Sequence, residues 1–100
     1  MIDEQGFLPD DVEAAEALVR QLTPARWRAM QVMARADEEA GWTGAWRSNS
    51  TSLDAGLVYW QSADWLVDAG LATIDRWGGR EVVCWTDLGR WVYRRRLGQL

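Results

Sequence analysis

Residues Ser62 to Arg96, SADWLVDAGLATIDRWGGREVVCWTDLGRWVYRRR, carry three signals that have to be read together. Gly70 followed by Leu71 is the natural stop of a helix, because glycine takes the left-handed conformation past the last turn and the leucine can fold back onto it. Gly78-Gly79, between two runs rich in β-branched and aromatic residues, reads as a two-residue hairpin turn. That turn sets Trp77 opposite Arg80, Arg76 opposite Glu81, Asp75 opposite Val82, Ile74 opposite Val83 and Thr73 opposite Cys84. The register places opposite charges across from each other at Arg76 and Glu81. It also lets Arg80 lie against the Trp77 ring and turns Ile74 and Val83 together toward a core. Thr86 can then cap a final helix over Asp87 to Leu97, with Leu88, Trp91, Val92 and Leu97 facing inward. Arg94, Arg95 and Arg96 fall in its last turn, where cations complement the helix dipole.

Upstream, the helix that stops at Gly70 is expected to begin near Leu57 to Tyr59, with Tyr59, Ala63, Leu66 and Val67 inward and Gln61, Asp64 and Asp68 outward. The stretch Gly41 to Gly56, GWTGAWRSNSTSLDAG, reads as a short strand around Ala45 to Asn49 followed by a loop, with a concealed short helix as the alternative. Before it, Leu22-Thr23-Pro24 marks a stop and restart, since proline suits a first helical position and threonine can cap. A second helix is expected over Pro24 to Ala40. Its stripe of Ala29, Val32, Met33, Ala36 and Ala40, widened by Trp27 and Met30, suits a central core helix, and Asp37-Glu38-Glu39 reads as a solvated turn at its end. Asp10, with Glu13 three residues on, suggests a capping box for a first helix whose Val12, Ala15, Val19 and Leu22 share a face. A helix this short is stable only when docked on the core or on a second subunit. Residues 1–9 read as a flexible N-terminus from which Phe7 and Leu8 can pack back, and residues 10–100 as a single α+β, mostly helical domain.

A chain of 100 residues can bury one modest core. No apolar run approaches the ~20 residues needed to span a bilayer, and Met1-Ile2-Asp3-Glu4 lacks a basic start, so a soluble cytoplasmic protein is expected. Cys84 is the single cysteine and histidine is absent, which removes an internal disulfide and the usual zinc ligand sets. Cys84 reads as a small buried hydrophobe. All 11 basic residues are arginine, a usage that points to a GC-rich coding genome, actinobacterial or that of a phage of such a host. The formal charge is −4, spread unevenly: Met1 to Gly41 holds nine acidic residues against four arginines, whereas Trp77 to Leu100 holds two against five.

LTPARWRAM opening a long helix, SADWLVDAGL, a glycine-containing hairpin and WTDLGRWVY together resemble a winged helix-turn-helix domain, similar to small transcriptional regulators of the MarR and PadR type. The resemblance covers about Leu22 to Leu97. It implies a winged-helix order: N-terminal helix, core helix, short strand or loop, recognition-like helix at Val58 to Ala69, two-stranded wing with its tip at Arg76 to Arg80, and C-terminal helix. The function it implies is DNA binding by a transcriptional regulator, with the recognition helix in the major groove and the wing on backbone or minor groove. In such regulators the first and last helices often form a dimer seam, here Asp10 to Leu22 and Asp87 to Leu97.

Carried onto these residues, Arg76 and Arg80 would touch phosphates or the minor groove and Gln61 and Ser62 the major groove. Tyr59 and Ser62 could also hold phosphate, and Arg94, Arg95 and Arg96 would take the flanking backbone. The recognition helix has no cation, however, and Asp64 and Asp68 on its outer face repel phosphates. The other reading is a protein-interaction module, such as a phage factor that binds a host protein, which keeps the winged-helix frame without its DNA role. It rests on the acidic balance and on eight tryptophans, too many for a small core. Its interface would use Trp60, Asp64, Asp68 and Trp77, with Trp42 and Trp46 as further anchors. No residues suggest an enzyme, a cofactor or a metal: there is no phosphate-cradling glycine loop and no nucleophile paired with a base.

Overall fold

The computed structural model describes residues 6–40, 44–52 and 55–100, with the side chains of Glu39 and Ala40 left aside. Its elements run α1 (Val12–Arg20), α2 (Pro24–Ala40), β1 (Gly44–Ser48), β2 (Leu57–Tyr59), α3 (Trp60–Asp68), β3 (Ala72–Trp77), β4 (Arg80–Trp85) and α4 (Asp87–Leu97). The result is an α+β chain with one mixed sheet in the order β2-β1-β4-β3.

Each helix starts and stops for a local reason. The cap of α1 is Asp11 rather than the expected Asp10: its Oδ1 accepts from the Ala14 amide at 3.0 Å. The capping box therefore does not form in the expected frame. Pro24 opens α2, and Thr23 Oγ1 accepts from the Arg26 amide at 3.3 Å. α2 is the core helix anticipated from its wide apolar face, with Ala29, Met30, Val32, Met33 and Ala34 all buried. Phe7 packs back against this core, whereas Leu8 is exposed. α3 ends at Gly70, whose φ of +78° is open to glycine at little cost, and the Leu71 amide reaches back to the Leu66 carbonyl at 2.8 Å. Thr86 Oγ1 accepts from the Gly89 amide at 3.0 Å and donates to the Gly70 carbonyl at 2.8 Å, so a single hydroxyl starts α4 and ties it to the end of α3. Of the side chains expected to turn inward on α4, Trp91 and Val92 are fully buried and Leu88 partly so, but Leu97 is exposed.

The hairpin register is the one read from Gly78-Gly79, from Thr73 opposite Cys84 to Trp77 opposite Arg80. Both turn glycines have positive φ, as a tight two-residue turn requires. Ile74 does face the same way as Val83, but while Val83 is fully buried Ile74, on the edge strand β3, is exposed.

The expected helix start at Leu57 to Tyr59 is corrected. Those residues form β2, which pairs parallel to β1 with Leu57 opposite Trp46 and Tyr59 opposite Ser48, and α3 begins only at Trp60. Val58 of β2 is fully buried. Parallel neighbours usually need a crossover of about a dozen residues, but β2 is only three residues long, so the short 49–56 connection suffices. Among the described residues of that connection there is no helix. Trp42 and part of the 41–56 stretch lie outside the described residues.

Alternation along the strands divides the sheet into two faces. Ala45, Val58, Ala72, Val83 and Trp85 turn toward the helices and join the core with Met30, Met33, Leu66 and Trp91. Trp46, Leu57, Val82 and Cys84 occupy the opposite face, where Val82 is also buried although it is not part of that core. Among the described residues no helix is long and apolar enough to cross a membrane.

Candidate functional site

The helix-side face of the sheet continues past the core into a row of charges. Arg47 of β1 grips Asp64 of α3 with both carboxylate oxygens engaged: Nη2 is 3.2 Å from Oδ1 and 3.2 Å from Oδ2, and Nε donates to Oδ1 at 3.3 Å. Its Nη1 lies 3.7 Å from Glu81 Oε2, and Glu81 Oε1 is in turn 3.6 Å from Arg76 Nη2. The cross-strand pair of Arg76 and Glu81 is thus present, as part of a row Asp64–Arg47–Glu81–Arg76 that links α3 to the hairpin. The Arg47 guanidinium also sits 5.8 Å from the Trp60 ring centroid at the start of α3. Each of these groups is partly solvated, so an individual pair contributes only up to about 1 kcal/mol, and the row serves more to fix geometry than to stabilise the fold.

The exposed face of α3 is formed by Trp60, Gln61, Asp64 and Asp68. Trp60 is 37% exposed. The side chains of Asp68 and Gln61 make no hydrogen bond or ion pair with the described residues. Ser62, expected to meet a base or a phosphate, is 5% exposed and turned into the core between Ala63 and Leu66, so it is removed from the site. Tyr59 is the last residue of β2 and packs on Trp60, ring centroids 5.9 Å apart.

The hairpin tip does not present its candidates together. Arg76 shares the helix-side face with Glu81 and is the most solvated arginine of the row, its side chain 70% exposed. Arg80 belongs to the opposite face and lies over Trp46 at 4.1 Å, rather than being placed by the neighbouring Trp77 as the register suggested. Trp77 is on that opposite face as well, 47% exposed, and its Nε1 donates to Asp75 Oδ2 at 3.3 Å. Cys84, on the same face, is half-buried, and burial followed by the nearby Asp75 carboxylate raises its thiol pKa above the usual range.

The arginines of α4 are engaged elsewhere. Arg95 Nε and Nη2 bind Glu16 Oε1 of α1 at 3.3 and 3.2 Å, and its Nη1 donates to the Leu100 carbonyl at 2.8 Å. Arg96 covers Trp27 of α2 at 4.9 Å, and Arg94 lines a cleft with Asp37, Glu38 and Tyr93. In that cleft burial, and then Glu38, raise the pKa of the Tyr93 phenol. α1 and α4 thus pack on one another within a single chain, and the C-terminal arginines meet α1 and α2 instead of the hairpin. The resulting division is clear. Arg76, Asp64 and Trp60 are brought together with the unanticipated Arg47 and Glu81, while Arg80 with Trp77, and Arg94 to Arg96, stand apart from them.

No protein-family profile, curated protein or solved structure matches the chain.

Among the described residues no group of acidic, cysteine or histidine side chains is arranged to hold a metal ion.

Proposed function

We propose that this chain is a protein-interaction module on a winged-helix frame, and that the exposed face of α3 meets a partner carrying a basic side chain next to an apolar one. What supports the frame is the order, from α2 on, of helix, two short strands, helix, hairpin and helix, with β1 beside β4. The observation that carries the function is the composition of the α3 face. Trp60, Gln61, Asp64 and Asp68 are its exposed residues, the helix contributes no cation to it, and Asp68 is uncompensated. A phosphate approaching this face would meet carboxylates first, whereas an arginine or lysine would find both a carboxylate and an indole on which to stack. Arg47 beside Trp60 shows that the ring tolerates a guanidinium at its side. An exposed tryptophan bordered by charge is also the usual makeup of an interface anchor.

The experiment is affinity capture with the immobilised chain, run in parallel with Asp68→Arg and Trp60→Ala. The expected result is a partner retained by the parent and lost, at least tenfold, by the charge reversal, with a smaller loss for the ring deletion. Capture that both variants leave unchanged would remove α3 as the interface.

A second reading, DNA binding by a transcriptional regulator, is favoured by one observation: Arg76 projects into solvent at the hairpin, with Gln61 exposed on α3. In that reading Arg76 and Arg80 hold backbone and Gln61 reads a base, without Ser62. It predicts salt-dependent duplex binding that Arg76→Ala and Arg80→Ala each weaken.

A further inference from the structure

Among the described residues β3 has a strand neighbour on one side only, and from Thr73 to Trp77 every residue is exposed. The phase of its hydrogen bonds can be read at both ends. At one end the Thr86 amide donates to the Leu71 carbonyl at 3.2 Å, so these opposed residues are a bonded pair. At the other, the two-residue turn is flanked by the bonded pair Trp77 and Arg80. Bonded and non-bonded pairs alternate in an antiparallel ladder. Thr73, Asp75 and Trp77 therefore direct their backbone groups to β4, and Ala72, Ile74 and Arg76 direct theirs to the open edge. Asp75 acts on that edge: its Oδ1 accepts from the outward Arg76 amide at 2.8 Å while its Oδ2 takes the Trp77 indole. A side chain that occupies an outward donor in this way blunts the edge against pairing.

We propose that a second copy of this chain adds to the β3 edge, antiparallel and in one register, and that Asp75 limits how tightly it does so. Two copies related by a two-fold axis perpendicular to the sheet oppose residues of the same face, so each register centres on one residue, and within Ala72–Trp77 only those centred on Ile74 or Asp75 oppose five residues of each strand. Centring on Asp75 sets two carboxylates face to face, which is unfavourable. Centring on Ile74 opposes Ile74 with its own copy, Ala72 with Arg76 and Thr73 with Asp75. No like charges meet, and the Ile74 side chain, 38% exposed in the single chain, is covered. Of the two registers that use most of the strand, the edge is thus self-complementary in this one alone, which is why the occupant is a second copy. The ladder needs the Arg76 amide that Asp75 now holds, so the carboxylate must let go before pairing is complete. None of this depends on what α3 binds.

Sedimentation equilibrium of the full chain up to about 1 mM tests the proposal, with Asp75→Ala, Ile74→Pro and Ile74→Asp as variants. Asp75→Ala removes the competitor for the Arg76 amide in both copies and is expected to tighten the dimer about a hundredfold, the scale of one charge-assisted hydrogen bond per chain. Ile74→Pro deletes an amide that β4 does not use, so the hairpin survives and association is lost. Ile74→Asp leaves every backbone group in place but sets carboxylates across the axis, and should also abolish the dimer in the Asp75→Ala background. A chain that stays monomeric in Asp75→Ala overturns the proposal. So does a dimer that persists through Ile74→Asp, because it must use another surface.

Discussion

Helices α3 and α4 meet where Thr86 bonds Gly70, and they use charge in opposite ways. α4 ends in three consecutive arginines, yet Arg95 is taken up by Glu16 and the Leu100 carbonyl, and Arg96 by the Trp27 ring. α3 has no basic residue, and its outward Asp64 is neutralised by Arg47 from a distant strand while Asp68 is left to solvent. The helix richest in charge therefore uses much of it to join α1, α2 and itself. The helix with little charge shows what it has. A count of arginines along the sequence is a poor guide to the sign of a surface, because packing decides which of them remain available.

Undocking α4 is the most damaging change. Gly89 lies against the Leu71 carbonyl, and a Cβ there would also stand 2.7 Å from the Trp85 ring. Gly89→Ala should cost about 3 kcal/mol in urea unfolding, because the obstacle is backbone and a buried indole rather than a flexible tip. Thr86→Ala comes next, removing the α4 cap and the bond to Gly70 together, for a loss of about 1–2 kcal/mol in the same assay. Arg95→Ala should lower stability by up to about 1 kcal/mol, whereas Arg76→Ala, its side chain 70% exposed, should stay within about 0.5 kcal/mol. Equal effects of the two arginine variants would erase the distinction between consumed and available charge.

The smallest effect is on pH dependence. The folded Cys84 pKa is raised, so the folded chain holds its proton more tightly than the unfolded chain. The sign follows: this group has no effect on stability at pH values below the unfolded pKa, and stability falls as pH rises from there through the folded pKa. Alkylation by iodoacetamide should accordingly show a higher midpoint pH in the folded chain than in urea.

The parts legible in the sequence are those governed by neighbours along the chain. The Gly78-Gly79 turn and its flanking pairs, the Gly70 stop, the Thr86 cap and the Pro24 start all depend on residues a few positions apart, and each stands where it was read. β2 was not legible because Leu57-Val58-Tyr59 runs without a break into the apolar pattern of α3, and only the pairing with β1 makes it a strand. Ser62 could have been found: it lies one position before buried Ala63 and four before buried Leu66, on the inward stripe of α3. Arg47 could not, since its partners Asp64 and Glu81 come from other elements and only the fold brings them together.

The proposed function gives the α3 and hairpin surface to a protein rather than to nucleic acid. Polarisation of a fluorescent random-sequence duplex at low ionic strength tests it most directly, with the chain titrated to about 100 µM, where non-specific DNA binders saturate. No rise in polarisation is expected. A saturable rise that disappears with Arg76→Ala would contradict it.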